Sequence, residues 1–294
     1  MILVVGATGS LGGAIAQALL ARGESVRILV RRDGPSAGAG GQEQPLVAAG
    51  AEPVRGDIKD RASLDIACAG VHTVITTANS ALRGGDDNTQ TVDIDGNRNL
   101  IDAARQAGVA HFIFISANGA APESPVPFLA AKGKTEQHLQ ASGLPYTILA
   151  PEAFMDVWIG MVVGGPALSN RPVTVVGSGA RRHSFIAARD VAQFAVAAVG
   201  GHMGANRKLV LGGPQALSFR DAATIYGQVL GREVTVQGVA PGQPVDGFPQ
   251  VVLDLMAGLD MGESIVDMTA LANEFGVTLT TVENFARQQL TAGS

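Results

Sequence analysis

Lys132 stands four residues after Phe128 in the stretch PFLAAKGKTEQHL, residues 127–139. A lysine can hold ligand hydroxyls as a cation. Desolvated against an aromatic ring, it can instead release its proton at a pH of about 7–8 and act as an acid or base. The plain reading is a solvated helix lysine like its neighbour Lys134. Ser116, closing the run FIFIS, offers a hydroxyl that could bond a substrate carbonyl or merely satisfy the backbone at a strand end. Lys132 and Ser116 are therefore the candidate catalytic residues. Phe128 has no proton to give, and neither Tyr146 nor Tyr226 is an evident substitute.

A second stretch, VVGATGSLGGAIAQAL, places Gly6, Gly9 and Gly12 in a G-x-x-G-x-x-G spacing between an apolar strand pattern and a helix pattern. Gly6 permits the sharp turn, Gly9 lets a pyrophosphate approach the backbone, and Gly12 lets helix and strand pack closely. The helix that follows presents unpaired N–H groups and a positive dipole end to the phosphates. The plain alternative is an ordinary glycine turn, but strand, loop and helix at the head of an alternating chain favour a dinucleotide.

The next strand ends SVRILVRRD. A site for NAD usually carries an acid here for the ribose 2′-hydroxyl. Arg31 and Arg32 instead match a 2′-phosphate in charge and fork geometry. NADP(H) is thus expected over NAD(H), against the reading of two solvated arginines with Asp33 in the acid's role. Asp57, in VRGDIKD, is read equally as a cap for the helical stretch from Ser63 or as a contact to the adenine amino group.

These residues need a frame, and the first 150 positions supply one. Apolar runs at Ile2–Val5, Val26–Val30, Pro53–Val54, Val71–Thr76, Phe112–Ile115 and Tyr146–Leu149 alternate with helical patterns, including a long one over Thr89–Ala107. Fully apolar strands between helices imply a doubly wound parallel sheet covered on both faces. The expected organisation is a Rossmann-type domain over residues 1–152, with a returning strand near Lys208–Leu211, and a smaller, mostly helical substrate lobe interleaved over 153–294. Asp190–Gln193 and Ser218–Asp221 both read as capping boxes. Residues 34–42, GPSAGAGGQ, read as a mobile loop.

Bulk composition narrows the partners. The 294 residues are 46% hydrophobic and 16% charged, enough for a large core and too apolar for disorder. Net charge is −5 with no basic run, so a nucleic-acid footprint is missing. Cys68 is the single cysteine, which excludes an internal disulfide and fits a buried hydrophobe in a reducing compartment. No run approaches the roughly 20 apolar residues a bilayer span requires. No metal is expected, since His111 and His138 lack partners at ligand spacing, and His183 beside Arg181 and Arg182 reads as solvated loop charge. The expectation is a cytoplasmic protein, monomer or homodimer, acting on a small molecule.

GATGSLGG, LVRRD, VRGDIKD, FIFISANGA, F-x-x-x-K with Glu136 after it, SGLPYTILAPEAF and SFIAARDVAQFA together resemble the NmrA-like branch of the atypical short-chain dehydrogenase/reductases. The resemblance covers nearly the whole chain and is weakest in the last 80 residues. It implies a cofactor set of Gly6, Thr8, Gly9, Ser10, Leu11, Gly12, Arg31, Arg32, Asp57, Thr77, Ala78, Asn79, Lys132, Pro151 and Phe154. It also implies an apolar or aromatic substrate pocket at Asn118, Phe154, Met155 and Trp158, the last three weighed against plain core packing. In the larger superfamily a tyrosine occupies the place of Phe128 and acts with the serine and lysine. The resemblance therefore implies an NADPH-dependent reductase of quinone-like or conjugated carbonyl compounds that works without that tyrosine. Two other readings stay open. One is a redox sensor that binds the cofactor without turnover; a sugar-nucleotide epimerase or dehydratase, which would need the tyrosine, is the minor one.

Overall fold

The computed structural model describes residues 1–31, 43–81, 83–200 and 206–292. Arg32 and the 34–42 stretch lie outside these residues. The chain divides into two compact units, Met1–Ala150 with Val191–Leu209, and Pro151–Asp190 with Val210–Ser294.

The first unit is built on a sheet. In chain order its strands are β1 (Ile2–Val5), β2 (Val26–Val30), β3 (Glu52–Arg55), β4 (Thr73–Thr76), β5 (His111–Ile115) and β6 (Tyr146–Pro151). The second unit contributes β7 (Val173–Val176) and β9 (Val236–Val239), and β8 (Arg207–Leu211) returns to the main sheet. The order is β3-β2-β1-β4-β5-β6-β8, and the first six strands pair in parallel. Every residue of β1, β4 and β5 is buried, as expected of strands with helices over both faces. Leu3, Val74, Phe112 and Ile148 anchor one of its apolar cores. Each such side chain contributes roughly 1.5–3 kcal/mol on burial.

The strand order reverses between β1 and β4, which share the register Val5↔Thr76. A crevice opens at the carboxyl ends of strands at such a switch point. The fold therefore delivers Gly6, after β1, and Thr77, after β4, to the same edge. Thr77 secures the junction by donating its backbone N–H to Val5 O at 2.9 Å.

The long helix expected over Thr89–Ala107 is two segments. Thr89–Gly96 is π-helical and Asn97–Gln106 is α-helical. Asn88 opens the first with a capping box completed by Thr91. The side chain of Asn97 intrudes on the ladder, donating Nδ2–H to Val92 O and Asp93 O at 3.1 and 3.2 Å. Its backbone N–H also reaches Val92 O, five residues back, which is the wide-turn signature.

The second unit carries helices Phe219–Leu230, Gln250–Asp260, Thr269–Phe275 and Val282–Ala292 beside the parallel pair β7–β9. That pair escapes a sequence reading because each strand has four residues and β9 has no buried position. Ser218–Asp221 forms the expected capping box. Asp190–Gln193 does not, because the helix starts two residues earlier at Ala188. Asp190 lies in its first turn, buried, and accepts from the N–H and hydroxyl of Thr280 at 2.7 and 2.8 Å. His183, expected as solvated charge, is also buried, with Nε2 2.9 Å from Leu259 O. Among the described residues no helix is long and apolar enough to cross a membrane.

Candidate active site

Each glycine of the first loop has its own physical reason. Gly6 has φ +90°, and a Cβ there would lie 2.4 Å from Thr77 Oγ1. At Gly12 a Cβ would stand 2.2 Å from Gly6 O, so the helix Ser10–Ala21 packs on the loop only without a side chain. Gly9 differs. It has φ −89°, which any residue adopts, and an added Cβ would meet only Gly6 O at 3.3 Å. The fit at 9 is tight but far less forbidding than at 6 or 12, so packing demands glycine less strongly there. Gly9 is also the N-cap of that helix and supplies no side-chain cap, and the first turn has no acid. The first N–H groups of a helix lack intrahelical partners, and here they lie around Ser10 and Leu11. The donor set fits the pyrophosphate of a dinucleotide.

Beside this loop runs a groove lined by Gly6, Thr8, Arg31, Asp57, Ala78 and Asp87 among others. Arg31 does not project freely. Its Nη1 donates to Asp87 Oδ2 at 2.8 Å, Lys59 Nζ reaches Asp87 Oδ1 at 2.6 Å, and Arg83 Nη1 lies 3.1 Å from Oδ2. The hydrogen bond from Lys59, with that from Arg83, holds the Asp87 carboxyl below the usual carboxylate range. Three cations surround Asp87, and Asp57 lines the same groove, so charges of both signs meet at this end. Asp57 does not cap the following helix: Asp60 does, accepting from Ala62 N–H, while Asp57 accepts from Lys59 N–H at 2.9 Å. Asn79 folds its own loop, donating to Thr77 O and accepting from Ala81 N–H.

Lys132 is not the solvated lysine of the plain reading. It is 2% exposed, in the helix Pro127–Ala141 whose inner face also buries Ala131, Thr135, Glu136 and Leu139. Gly133 explains the depth, since a Cβ there would come within 2.3 Å of the Ala121 carbonyl carbon. Nζ donates to Ile115 O at 3.1 Å, at the end of β5, and stands 4.9 and 5.5 Å from the ring centroids of Phe114 and Phe128. Burial lowers its pKa from the ordinary lysine value, and Asp93 and Glu136 oppose that shift. Asp93 Oδ1 is 4.0 Å from Nζ.

Ser116 is buried next to it, and its hydroxyl donates to Glu136 Oε1 at 2.5 Å. Glu136 accepts a second bond from Lys208 Nζ at 2.7 Å. The one proton of Ser116 is therefore engaged within the protein. Asn118 is half-buried in the loop that follows.

In the second unit, Pro151 is buried and Phe154 is half-buried, while Met155 and Trp158 are 1% and 7% exposed. The latter two belong to that unit's core, with Trp158 6.4 Å from the Phe219 ring. Both side chains thus take part in core packing, the role weighed beside the pocket.

Asp93, Lys208 and the Asp87 cluster went unassigned in the sequence. For Asp93 a signal existed: Asp93, Asn97, Leu100 and Ala104 recur at helical spacing, so a carboxylate sits on the buried stripe. For Asp87 there was none, because its partners come from positions 31, 59 and 83.

The model of the NmrA-like family matches residues 1–291. The chain belongs to the NmrA-like family. Among its relatives, the NAD(P)H azoreductase of Xenophilus azovorans is 30% identical over 269 residues, covering 91% of this chain and 84% of that one. The photosystem II assembly factor Ycf39 of Trieres chinensis is 28% identical over 281 residues, covering 94% and 82%. The crystal structure of Citrobacter sp. triphenylmethane reductase complexed with NADP(H) superposes with a TM-score of 0.81 at 25% identity, covering 98% of this chain and all of that one. The Rossmann-type α/β fold read from the strand pattern is shared with that reductase.

Proposed function

We propose that this NmrA-like protein is an NADPH-dependent reductase that passes a hydride to a quinone-like or other conjugated aromatic acceptor, without a tyrosine acid. It is an oxidoreductase of the nicotinamide-dependent class, in line with the azoreductase and the triphenylmethane reductase it resembles. The observation that carries the reading is Lys132, a buried ammonium on the carbonyl of Ile115, at the same sheet edge that presents the glycine loop. Bound NADPH supplies the hydride. Gly6, Gly9, Gly12 and the backbone around Ser10 hold the phosphates, Thr77, Ala78 and Asn79 border them, and Lys132 holds the nicotinamide ribose as a cation. Phe128 and Phe114 keep water from that ammonium. With the Ser116 proton engaged by Glu136 and phenylalanine at 128, the chain suits an acceptor whose product takes its proton from solvent, as reduced quinones and dyes do.

Preference for NADPH over NADH is proposed to rest on Arg31, assisted by Lys59 and Arg83 around Asp87. Calorimetric titration with both cofactors tests it. Arg31→Ala should weaken NADPH about 10- to 100-fold while changing NADH less than about threefold. Equal losses would remove the arginine from 2′-phosphate recognition, and no binding of either cofactor would remove the reductase itself.

The committed proton of Ser116 and the missing hydroxyl at Phe128 also favour a second reading, a dinucleotide-binding protein without turnover. Tight NADPH binding with no oxidation by naphthoquinones, azo dyes or triphenylmethane dyes would select it.

A further inference from the structure

We infer that Asp93 is a positioning residue that holds Lys132 protonated and aimed at the Ile115 carbonyl, so that the lysine serves as a fixed cation and not as a neutral base. Asp93 is fully buried, on the π-helical segment. Its two carboxylate oxygens are treated unequally. Oδ2 accepts from both the N–H and the hydroxyl of Ser80, at 3.0 and 2.6 Å. Oδ1 has no hydrogen-bond partner among the described residues and faces Lys132 Nζ at 4.0 Å. A buried carboxylate without a countercharge is costly, and a buried ammonium equally so. Each is the other's compensation. The separation exceeds hydrogen-bond reach, so the pair interacts through space and the ammonium keeps its donors for Ile115 O and for a ligand.

The backbone around Asp93 is fixed to suit. Its carbonyl accepts from Thr135 Oγ1 at 2.8 Å and from Asn97 Nδ2 at 3.2 Å, tying the wide turn to the helix that carries Lys132. The charged groups around the lysine are few. Asp93 faces it from the π-helical segment, Glu136 lies one turn along its own helix, and Lys208 reaches Glu136 from β8. β5 contributes the Phe114 ring, the Ile115 carbonyl and the Ser116 hydroxyl, none of them charged. Two cations and two anions balance, so replacing Asp93 leaves Lys132 with Glu136 alone, and Glu136 is already shared by Ser116 and Lys208.

The inference rests on the reductase reading only for what the cation is used for, and the measurement avoids the cofactor. Lysine Cε resonances of the ligand-free protein, with Lys132 assigned by its loss in Lys132→Met, report its titration directly. Asp93→Asn is expected to lower the Lys132 midpoint by at least about one pH unit. Ser80→Ala strips the hydroxyl from Oδ2, leaves more of the negative charge uncompensated toward Nζ and should raise the Lys132 midpoint by a few tenths. That milder variant keeps the test open where Asp93→Asn does not fold. A Lys132 midpoint that both variants leave unchanged overturns the inference. Cofactor titrations on the same samples separate the two claims. A shifted midpoint with no NADPH binding would uphold the pair and sink the reductase. An unshifted midpoint with NADPH oxidation intact would do the reverse.

Discussion

At the scale of single residues, Lys132 separates the readings most sharply. Its ammonium has lost nearly all solvent, rests on Ile115 O and faces two rings and a carboxylate. Lys132→Met keeps the volume and removes the charge. Because the nicotinamide ribose loses the cation that positions it, we expect NADPH affinity to drop about tenfold and NADPH oxidation at least about 100-fold, read from calorimetry and steady-state rates. Full turnover in that variant would exclude the lysine from the reaction. Phe128 and Lys132 were legible in the sequence as a pair. Their environment was not, because Asp93 and Ile115 are separated from Lys132 by 39 and 17 positions and only the packed helix unites them.

At the scale of elements, the π-helical segment Thr89–Gly96 has the most consequences. Periodicity finds a helix there but cannot distinguish a turn of 3.6 residues from a wider one, since the difference is one inserted residue. Asn97 makes the choice by taking two carbonyls of the segment, donating to Ala78 O as well and accepting from Thr76 Oγ1 at 3.2 Å. Asn97→Ala should destabilise the protein by about 2–4 kcal/mol, leaving buried carbonyls unpaired. A shift of the urea midpoint corresponding to under about 0.5 kcal/mol would mean that Asn97 does not hold the wide turn. The Asp190–Gln193 stretch teaches the same lesson in reverse. The residue types of a cap are present, but Asp190 is drawn to Thr280, ninety positions on.

At the scale of the whole molecule, β5 links stability to pH. His111, at its start, is 3% exposed, with Nε2 3.0 Å from Thr147 Oγ1. Burial, with His72 adding to it, pushes its pKa down from 6.5 to about 4. The unfolded chain binds a proton that the folded one refuses, so this contribution is complete above pH 6.5 and is lost as pH falls toward 4. The loss amounts to about 3 kcal/mol. Urea midpoints between pH 7 and 4.5 should fall less steeply in His111→Asn than in the parent. Parallel profiles would show that His111 is not the titrating group. The sequence by itself determined the alternation of buried strands and helices, hence the parallel sheet, the switch point and the glycine loop beside it. Those features depend on local periodicity and on residues close together in the chain. The state of Ser116, the depth of Lys132, the Asp87 cluster and the Asp93 pair were decided only by tertiary structure. Each depends on which carboxylate a distant segment brings within a few ångströms, and in a desolvated site that distance sets the charge.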